Sequence, residues 1–319
     1  MNRPAIKRGF HYNPTTNSLG IFVNGIQVAD YPETRGRTYY VNNITGSSAN
    51  DGLSWGSAVD QVSTAITLSE AYRTSHAANN QRVRNQIIVQ GTETAYASIT
   101  ALPQHCDVIG LGDEPRGSGA GIARIGTDAD TVPDHGVDAV TCRGSNFINL
   151  QFQAGSAKDA FQIDNLFRCH FENCAFMSNS TAADPTTGLL VGRGSGATLN
   201  NCHWGGASSN GTFAVGISLK GTHWHNCRVT NCHITGVIGI LVDVACVTTM
   251  GSEFKDCFIG SWTAIKPCTL SVDDNGAVGN IKYIHNHLTT NGTLAYQGAE
   301  RWVENWITNG VAPVAVTAS

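Results

Sequence analysis

The sequence predicts an all-β chain wound as a right-handed, single-stranded parallel β-helix with a short N-terminal capping helix. Three observations predict it. A six-residue pattern returns along the second half of the chain. Glycine is abundant, at 35 of 319 residues, and charged residues make up only 14%. Many turns and few charged helix faces suit an all-β repeat architecture. The length is typical of two compact cores, but a solenoid escapes that limit by growing along one axis.

In chain order, residues 1–36 form a distinct segment. In Ile21-Phe22-Val23-Asn24-Gly25-Ile26-Gln27-Val28 an Asn-Gly pair stands between two apolar runs. That is a two-residue hairpin signal, because a type I′ turn needs positive φ at both central positions. A segment this short cannot hold a core alone. Domain 37–310 follows, and residues 311–319 read as a C-terminal tail. Within 37–310 come Tyr40-Val41, the loop Asn50-Asp51-Gly52-Leu53-Ser54-Trp55, and a helix at about 57–76 with apolar positions Val59, Val62, Ala65, Ile66, Leu68 and Ala71 at helical spacing. Two short buried-strand patterns come next, Ile87-Ile88-Val89-Gln90-Gly91 and Val108-Ile109-Gly110-Leu111-Gly112. This layout resembles the start of pectate-lyase-like β-helix proteins, and many phage spike and surface proteins share it. The resemblance covers about residues 38–310. It implies that the helix caps the first coil, whose apolar interior and backbone edge would otherwise be open to water.

The repeat is apolar, any, Asn, apolar, any, apolar. Its copies are Phe147-Ile148-Asn149-Leu150-Gln151-Phe152, Phe171-Glu172-Asn173-Cys174-Ala175-Phe176, Leu199-Asn200-Asn201-Cys202-His203-Trp204, Val229-Thr230-Asn231-Cys232-His233-Ile234 and Phe254-Lys255-Asp256-Cys257-Phe258-Ile259. Weaker copies centre on Asn286 and Asn305. The steps are 24, 28, 30, 25, 30 and 19 residues, which fits one coil with loops of variable length. A second motif lies between copies, as in Ala160-Phe161-Gln162-Ile163, Gly216-Ile217-Ser218-Leu219 and Ala264-Ile265. A sharp bend between strands needs a residue that tolerates the left-handed region, and Asn and Asp are the usual choices besides Gly. Stacked coils then place Asn149, Asn173, Asn201, Asn231 and Asp256 in one ladder, about 4.8 Å per step. Cys174, Cys202, Cys232 and Cys257 fall on one inward column as small buried hydrophobes. The ten cysteines show no CxxC pair and no zinc-finger spacing, so neither metal nor cofactor is expected.

Candidates for chemistry are sparse. Carboxylate pairs for acid and base work are Asp159 with Asp164, Asp243 with Glu253, and Asp273 with Asp274. The competing reading is turn and surface aspartates. Lyase chemistry asks for a basic residue beside clustered acids, but Lys220, Arg228 and Lys255 sit on separate coils. His203 and His233 follow the inward thiols and point outward, one above the other, with His223 and His225 expected to thicken that patch. Trp204, Trp224 and Trp262 are candidates for sugar stacking, though Trp204 occupies an inward position of the repeat. Gly110-Leu111-Gly112 and Arg116-Gly117-Ser118-Gly119-Ala120-Gly121 do not join a strand to a helix, so they read as a flexible loop and not a phosphate loop.

The reading these features favour is a bacteriophage virion surface protein, either a capsid decoration spike or a small tail spike. It would be anchored on a capsid or tail protein by strand addition through Ile21, Phe22, Val23, Asn24, Gly25 and Ile26. Residues 1–8 carry no apolar run of a signal peptide, so folding in a host cytoplasm, with reduced thiols, is the expectation. Resemblance to such spikes implies a homotrimer. The alternative is a polysaccharide depolymerase, hydrolase or lyase, acting on host surface glycans. A third reading is a non-catalytic carbohydrate-binding β-helix. Net charge is −4 with no Lys/Arg run, which argues against nucleic acid, and no run of 18 apolar residues suggests a membrane span.

Overall fold

The computed structural model describes residues 8–13, 18–23, 26–31, 35–76, 83–117, 119–126, 141–154, 158–178, 187–206, 213–247, 249–260, 268, 270–275, 281–289, 301–308 and 313–316. Three sheets of stacked strands form the walls of a right-handed parallel β-helix. Ten strands run from Arg35–Val41 to Arg301–Val303, six from Thr141–Arg143 to Leu270–Asp274, and nine from Arg124–Ile125 to Pro313–Val316. The fold class legible in the sequence is the one the chain adopts. No helix among the described residues is long and apolar enough to cross a membrane.

One coil shows how the sequence bends the chain. Asn146–Ile148 lies in the ten-stranded sheet, Gln151–Ala154 in the nine-stranded sheet and Phe161–Phe167 in the six-stranded sheet, before His170–Glu172 returns to the first. Between residues 146 and 255, each three-residue strand of the ten-stranded sheet is bracketed by two left-handed bends. Asn149, Asn173, Asn201, Asn231 and Asp256 close the strands, with φ between 50° and 53°. His285 and Glu304 continue this column, at φ 53° and 49°. Gly144, Arg168, Gly196, Asn226 and Gly251 open the strands, again with positive φ. Side chains of the closing column bond along the axis. Asn149 Nδ2 donates to Gly110 O at 3.0 Å, Asn173 Nδ2 to Asn149 Oδ1 at 2.9 Å, and Asn201 Nδ2 to Asn173 Oδ1 at 3.2 Å. Asn231 turns aside to Asn200 Oδ1 at 3.0 Å, and Asp256 lies 3.4 Å from His285.

The weaker copies are one residue out of register. Asn286 and Asn305 do not bend the chain; His285 and Glu304 do, and the two asparagines are fully buried. They extend the inward column that begins at Leu150 and runs through Cys174, Cys202, Cys232 and Cys257, since the next residue of each pairs in register across the nine-stranded sheet. All four thiols are free and buried. Each donates to a mid-strand carbonyl one coil back: Cys174 to Phe147 O at 3.3 Å, Cys202 to Phe171 O at 3.6 Å, Cys232 to Leu199 O at 3.7 Å and Cys257 to Val229 O at 3.5 Å. Asn286 and Asn305 use the same kind of acceptor, Phe254 O at 3.0 Å and Tyr283 O at 2.7 Å. Burial holds the Cys174 and Cys232 thiols well above their ordinary pKa, so they stay protonated. Around this column aromatic rings stack coil on coil, as in Phe152–Phe176–Trp204 and Phe254–Tyr283–Trp302.

The ends differ in chemistry. The capping helix is Val62–Ser75, not 57–76, because Ala58 and Val59 are drawn into the first coil: Val59 N donates to Tyr40 O at 3.0 Å and Asn42 N to Val59 O at 2.9 Å. The helix buries Val62, Ala65, Ile66 and Ser69. Buried Asn85 ties it down, donating to Ser69 O at 2.9 Å. At the far end, Pro313–Val316 is no tail. It pairs antiparallel with Asn305–Thr308 and closes the nine-stranded sheet. Proline suits the start of such an edge strand, where its missing N–H faces no partner. At the N-terminus, Arg8–Asn13, Ser18–Val23 and Ile26–Tyr31 make a separate three-stranded antiparallel sheet, with Val23 opposite Ile26. Asn24 and Gly25 lie outside the described residues.

Candidate functional site

The residue after each inward column position points out of the nine-stranded sheet, because side chains alternate along a strand. That outer column reads Gln151, Ala175, His203, His233, Phe258, His287, Trp306 in register. From His203 onward it is a ribbon of rings. The His203 and His233 rings lie 4.8 Å apart with their Nδ1 atoms at 3.1 Å. His233 meets Phe258 edge-on at 4.6 Å, and Phe258 meets His287 at 5.4 Å. Trp306, 52% exposed, stands at the open end.

The other end is covered. Gln151 Nε2 donates to Gly117 O at 2.9 Å, and Arg116 reaches across to Asn201 Oδ1 at 2.8 Å. Arg116 and Gly117 therefore lie as a flap over the first rungs of this face, held at both points, whereas Gly110 and Leu111 are no loop but the end of strand Cys106–Leu111. Burial pushes the His203 imidazole down to about 3, helped by the neighbouring His233 and the charge of Arg116. Burial and Arg116 bring His233 to about 4. Both rings are therefore neutral at pH 7, and one Nδ1–H donates to the other Nδ1. The face offers polarisable rings and hydrogen-bonding groups from His203 to Trp306, which suits a hydroxyl-bearing polymer laid along the axis.

The remaining candidates do not converge. Asp273 and Asp274 are successive on one strand and face opposite ways. Asp274 is buried with Tyr283 Oη at 3.4 Å, while Asp273 accepts from Asn275 at 2.8 Å. Asp159 accepts from Thr187 N at 2.7 Å, and Asp164 accepts from Asn165 Nδ2 at 2.8 Å. Asp243 follows the six-stranded sheet and accepts from Ala245 N at 2.9 Å, whereas Glu253 lies on the ten-stranded sheet, 3.3 Å from Arg228. Lys255 stands 3.7 Å from Asp256, and Lys220 belongs to the six-stranded sheet. His223 and His225 do not thicken the His203–His233 patch: they lie on Val215–His225 of the six-stranded sheet, because the chain turns two corners between them and His233. Trp204 and Trp224 are core residues, 0% and 1% exposed; Trp262 lies outside the described residues. No group of three or more His, Cys, Asp or Glu fit to hold a metal occurs among the described residues.

Phe258, His287 and Trp306 escaped the reading of the sequence. The signal was present, since each follows an inward position by one residue, but the one-residue slip at Asn286 and Asn305 hid the last two.

The architecture and the lateral face define a right-handed parallel β-helix. No family model matches the chain, and no curated protein matches it. Among solved structures it is similar to the crystal structure of pectate lyase Pel9A, at a TM-score of 0.50 and 16% identity, over 86% of this chain and 78% of that one. At that identity the likeness is one of fold.

Proposed function

We propose that the chain is a polysaccharide-engaging β-helix displayed on a bacteriophage particle, which holds host surface glycan along the outer face of the nine-stranded sheet. The observation that carries the reading is the ribbon His203–His233–Phe258–His287–Trp306. A column of tilted and edge-on rings on one lateral face offers apolar surface to sugar rings, and Trp306 adds an indole N–H at the exposed end. Binding without cleavage is the version we favour, since the candidate carboxylates lie on different faces or serve as local hydrogen-bond acceptors. Residues 1–36 supply the attachment. Their strands form a sheet of their own, separate from the three solenoid walls, and antiparallel edges suit strand addition to a capsid or tail protein. A homotrimer is part of the proposal.

The test is retention of the full chain on immobilised capsular and cell-wall polysaccharides, with the supernatant assayed for reducing ends and unsaturated products. Retention that Trp306→Ala and Phe258→Ala abolish, without products, is the expected result. Steady product formation would replace binding with depolymerase activity. Failure to find the chain on purified particles would remove the virion assignment, and a monomeric mass in sedimentation would remove the trimer.

A further inference from the structure

The edge where the six-stranded sheet turns into the ten-stranded sheet carries a second feature, remote in type from the ring ribbon. A cleft of about 830 Å³ opens there, lined by Arg84, His105, Arg143, Arg168, Asn146 and Ser195, with Gly144 and Phe167 between them. Its shape follows from the opening column of bends. That column alternates large and absent side chains: His105, Gly144, Arg168, Gly196, Asn226, Gly251. A Cβ on Gly144 would come within 2.8 Å of the His105 ring, and one on Gly196 would meet the Arg168 stem at 3.5 Å. Each large residue thus leans over the glycine of the next coil. The closing column on the other side of the same strands needs no such alternation, and holds Asn or Asp on five successive coils.

The charges in the cleft are unbalanced. Arg84 is fixed by Asp107, with Nε to Oδ2 at 3.0 Å, and by Gly144 O at 2.8 Å. Arg143 packs over the Phe167 ring at 5.7 Å, and it and Arg168 are exposed without an acidic partner among the described residues. Three guanidiniums against the one carboxylate of Asp107 leave two positive charges unopposed. His105 lies beside them: burial, then Arg73, Arg143 and Arg84, lower its pKa against a smaller opposing pull from Glu70, so it stays a neutral donor and acceptor. Guanidinium forks bind oxyanions through paired N–H groups. A carboxylate carries one charge, whereas a phosphoryl group carries nearly two near neutral pH and offers three acceptor oxygens.

We propose that this cleft is a binding site for a phosphoryl dianion, held by Arg143 and Arg168 with Arg84 fixed at its back. Free phosphate and a phosphate ester on a sugar share that chemistry. The test is calorimetric titration of the full chain at pH 7 and low salt with inorganic phosphate, glucose 1-phosphate and galacturonate. The variants are Arg143→Gln and Arg168→Gly. Both should fold, since Arg143 is exposed and Arg168 has φ 51°, a conformation glycine adopts freely; unchanged circular dichroism and melting temperature check this. The expected result is binding of at least one phosphate probe, at least tenfold tighter than galacturonate, and weakened at least tenfold in each variant. Tighter binding of glucose 1-phosphate than of phosphate supports a sugar-borne group; binding of inorganic phosphate alone supports the free ion. No binding of either probe, equal affinity for galacturonate, or undiminished binding in the folded double variant overturns the proposal.

Discussion

Cys202 and His203 are neighbours in the chain and face opposite sides of the solenoid wall. After Leu150 the interior column of Cys202 reads Cys, Cys, Cys, Cys, Asn, Asn; after Gln151 and Ala175 the exterior column of His203 reads His, His, Phe, His, Trp. The two columns share coil, strand and spacing. The interior one is constrained by volume, and from Cys174 onward each member is a small donor that reaches a carbonyl of the previous coil. The exterior one answers to whatever meets the face, and its chemistry changes at each rung. In a solenoid, packing and recognition are thus separated by one residue of sequence.

The largest effect expected from breaking this separation is at the tryptophans. Trp204→Ala removes a fully buried indole stacked 4.8 Å from Phe176 and should cost about 3–5 kcal/mol in denaturant unfolding. Trp306→Ala, on the exposed side, should change stability by less than about 0.5 kcal/mol. Equal losses would contradict the assignment of the two faces.

Acid should act next most strongly, through the covered imidazoles. His203 and His233 are held near 3 and 4 in the folded chain, against about 6.5 unfolded. The unfolded chain therefore binds more protons in that window. The stability linked to these rings is complete above pH 6.5 and is lost as pH falls towards 3. At pH 5 the loss is on the order of 1–2 kcal/mol per imidazole. Melting curves from pH 7 to 4.5 should show a steeper decline for the natural chain than for His203→Gln/His233→Gln.

Smaller still is the change from thiol to amide within the interior column. Asn286→Ala leaves Cys257 N–H, 2.9 Å from Asn286 Oδ1, without that partner and removes the side-chain bond to Phe254 O, which should cost about 1–3 kcal/mol. Asn286→Cys restores a small donor to Phe254 O and should cost less. The smallest change concerns the bend at Glu304, where φ is 49°. Glu304→Gly should stabilise the chain by about 1 kcal/mol, because a side chain strains the left-handed conformation.

Much of this was legible in the sequence, and the failures have physical causes. The repeat identified the bends because Asn and Asp are chemically marked there. It slipped by one at Asn286 and Asn305 because an asparagine can also serve as a buried donor, and nothing in His285 or Glu304 advertises a left-handed residue. The glycine of alternate coils hid the basic cleft: Gly144 and Gly196 read as ordinary turn glycines, and Arg84, Arg143 and Arg168 are 59 and 25 residues apart along the chain. His223 and His225 lie close to His233 in sequence, but their place around the coil puts them on another wall.

The stacked register of the coils sets both columns and the walls they belong to, and thiol and cross-link chemistry tests it most directly. In the natural chain, Cys202 and Cys232 should resist alkylation until the protein is denatured, and in His203→Cys/His233→Cys the two introduced thiols should join on mild oxidation, giving a peptide pair 30 residues apart by mass spectrometry. Native-state alkylation of Cys202 and Cys232, with no link between positions 203 and 233, would contradict the stacked arrangement.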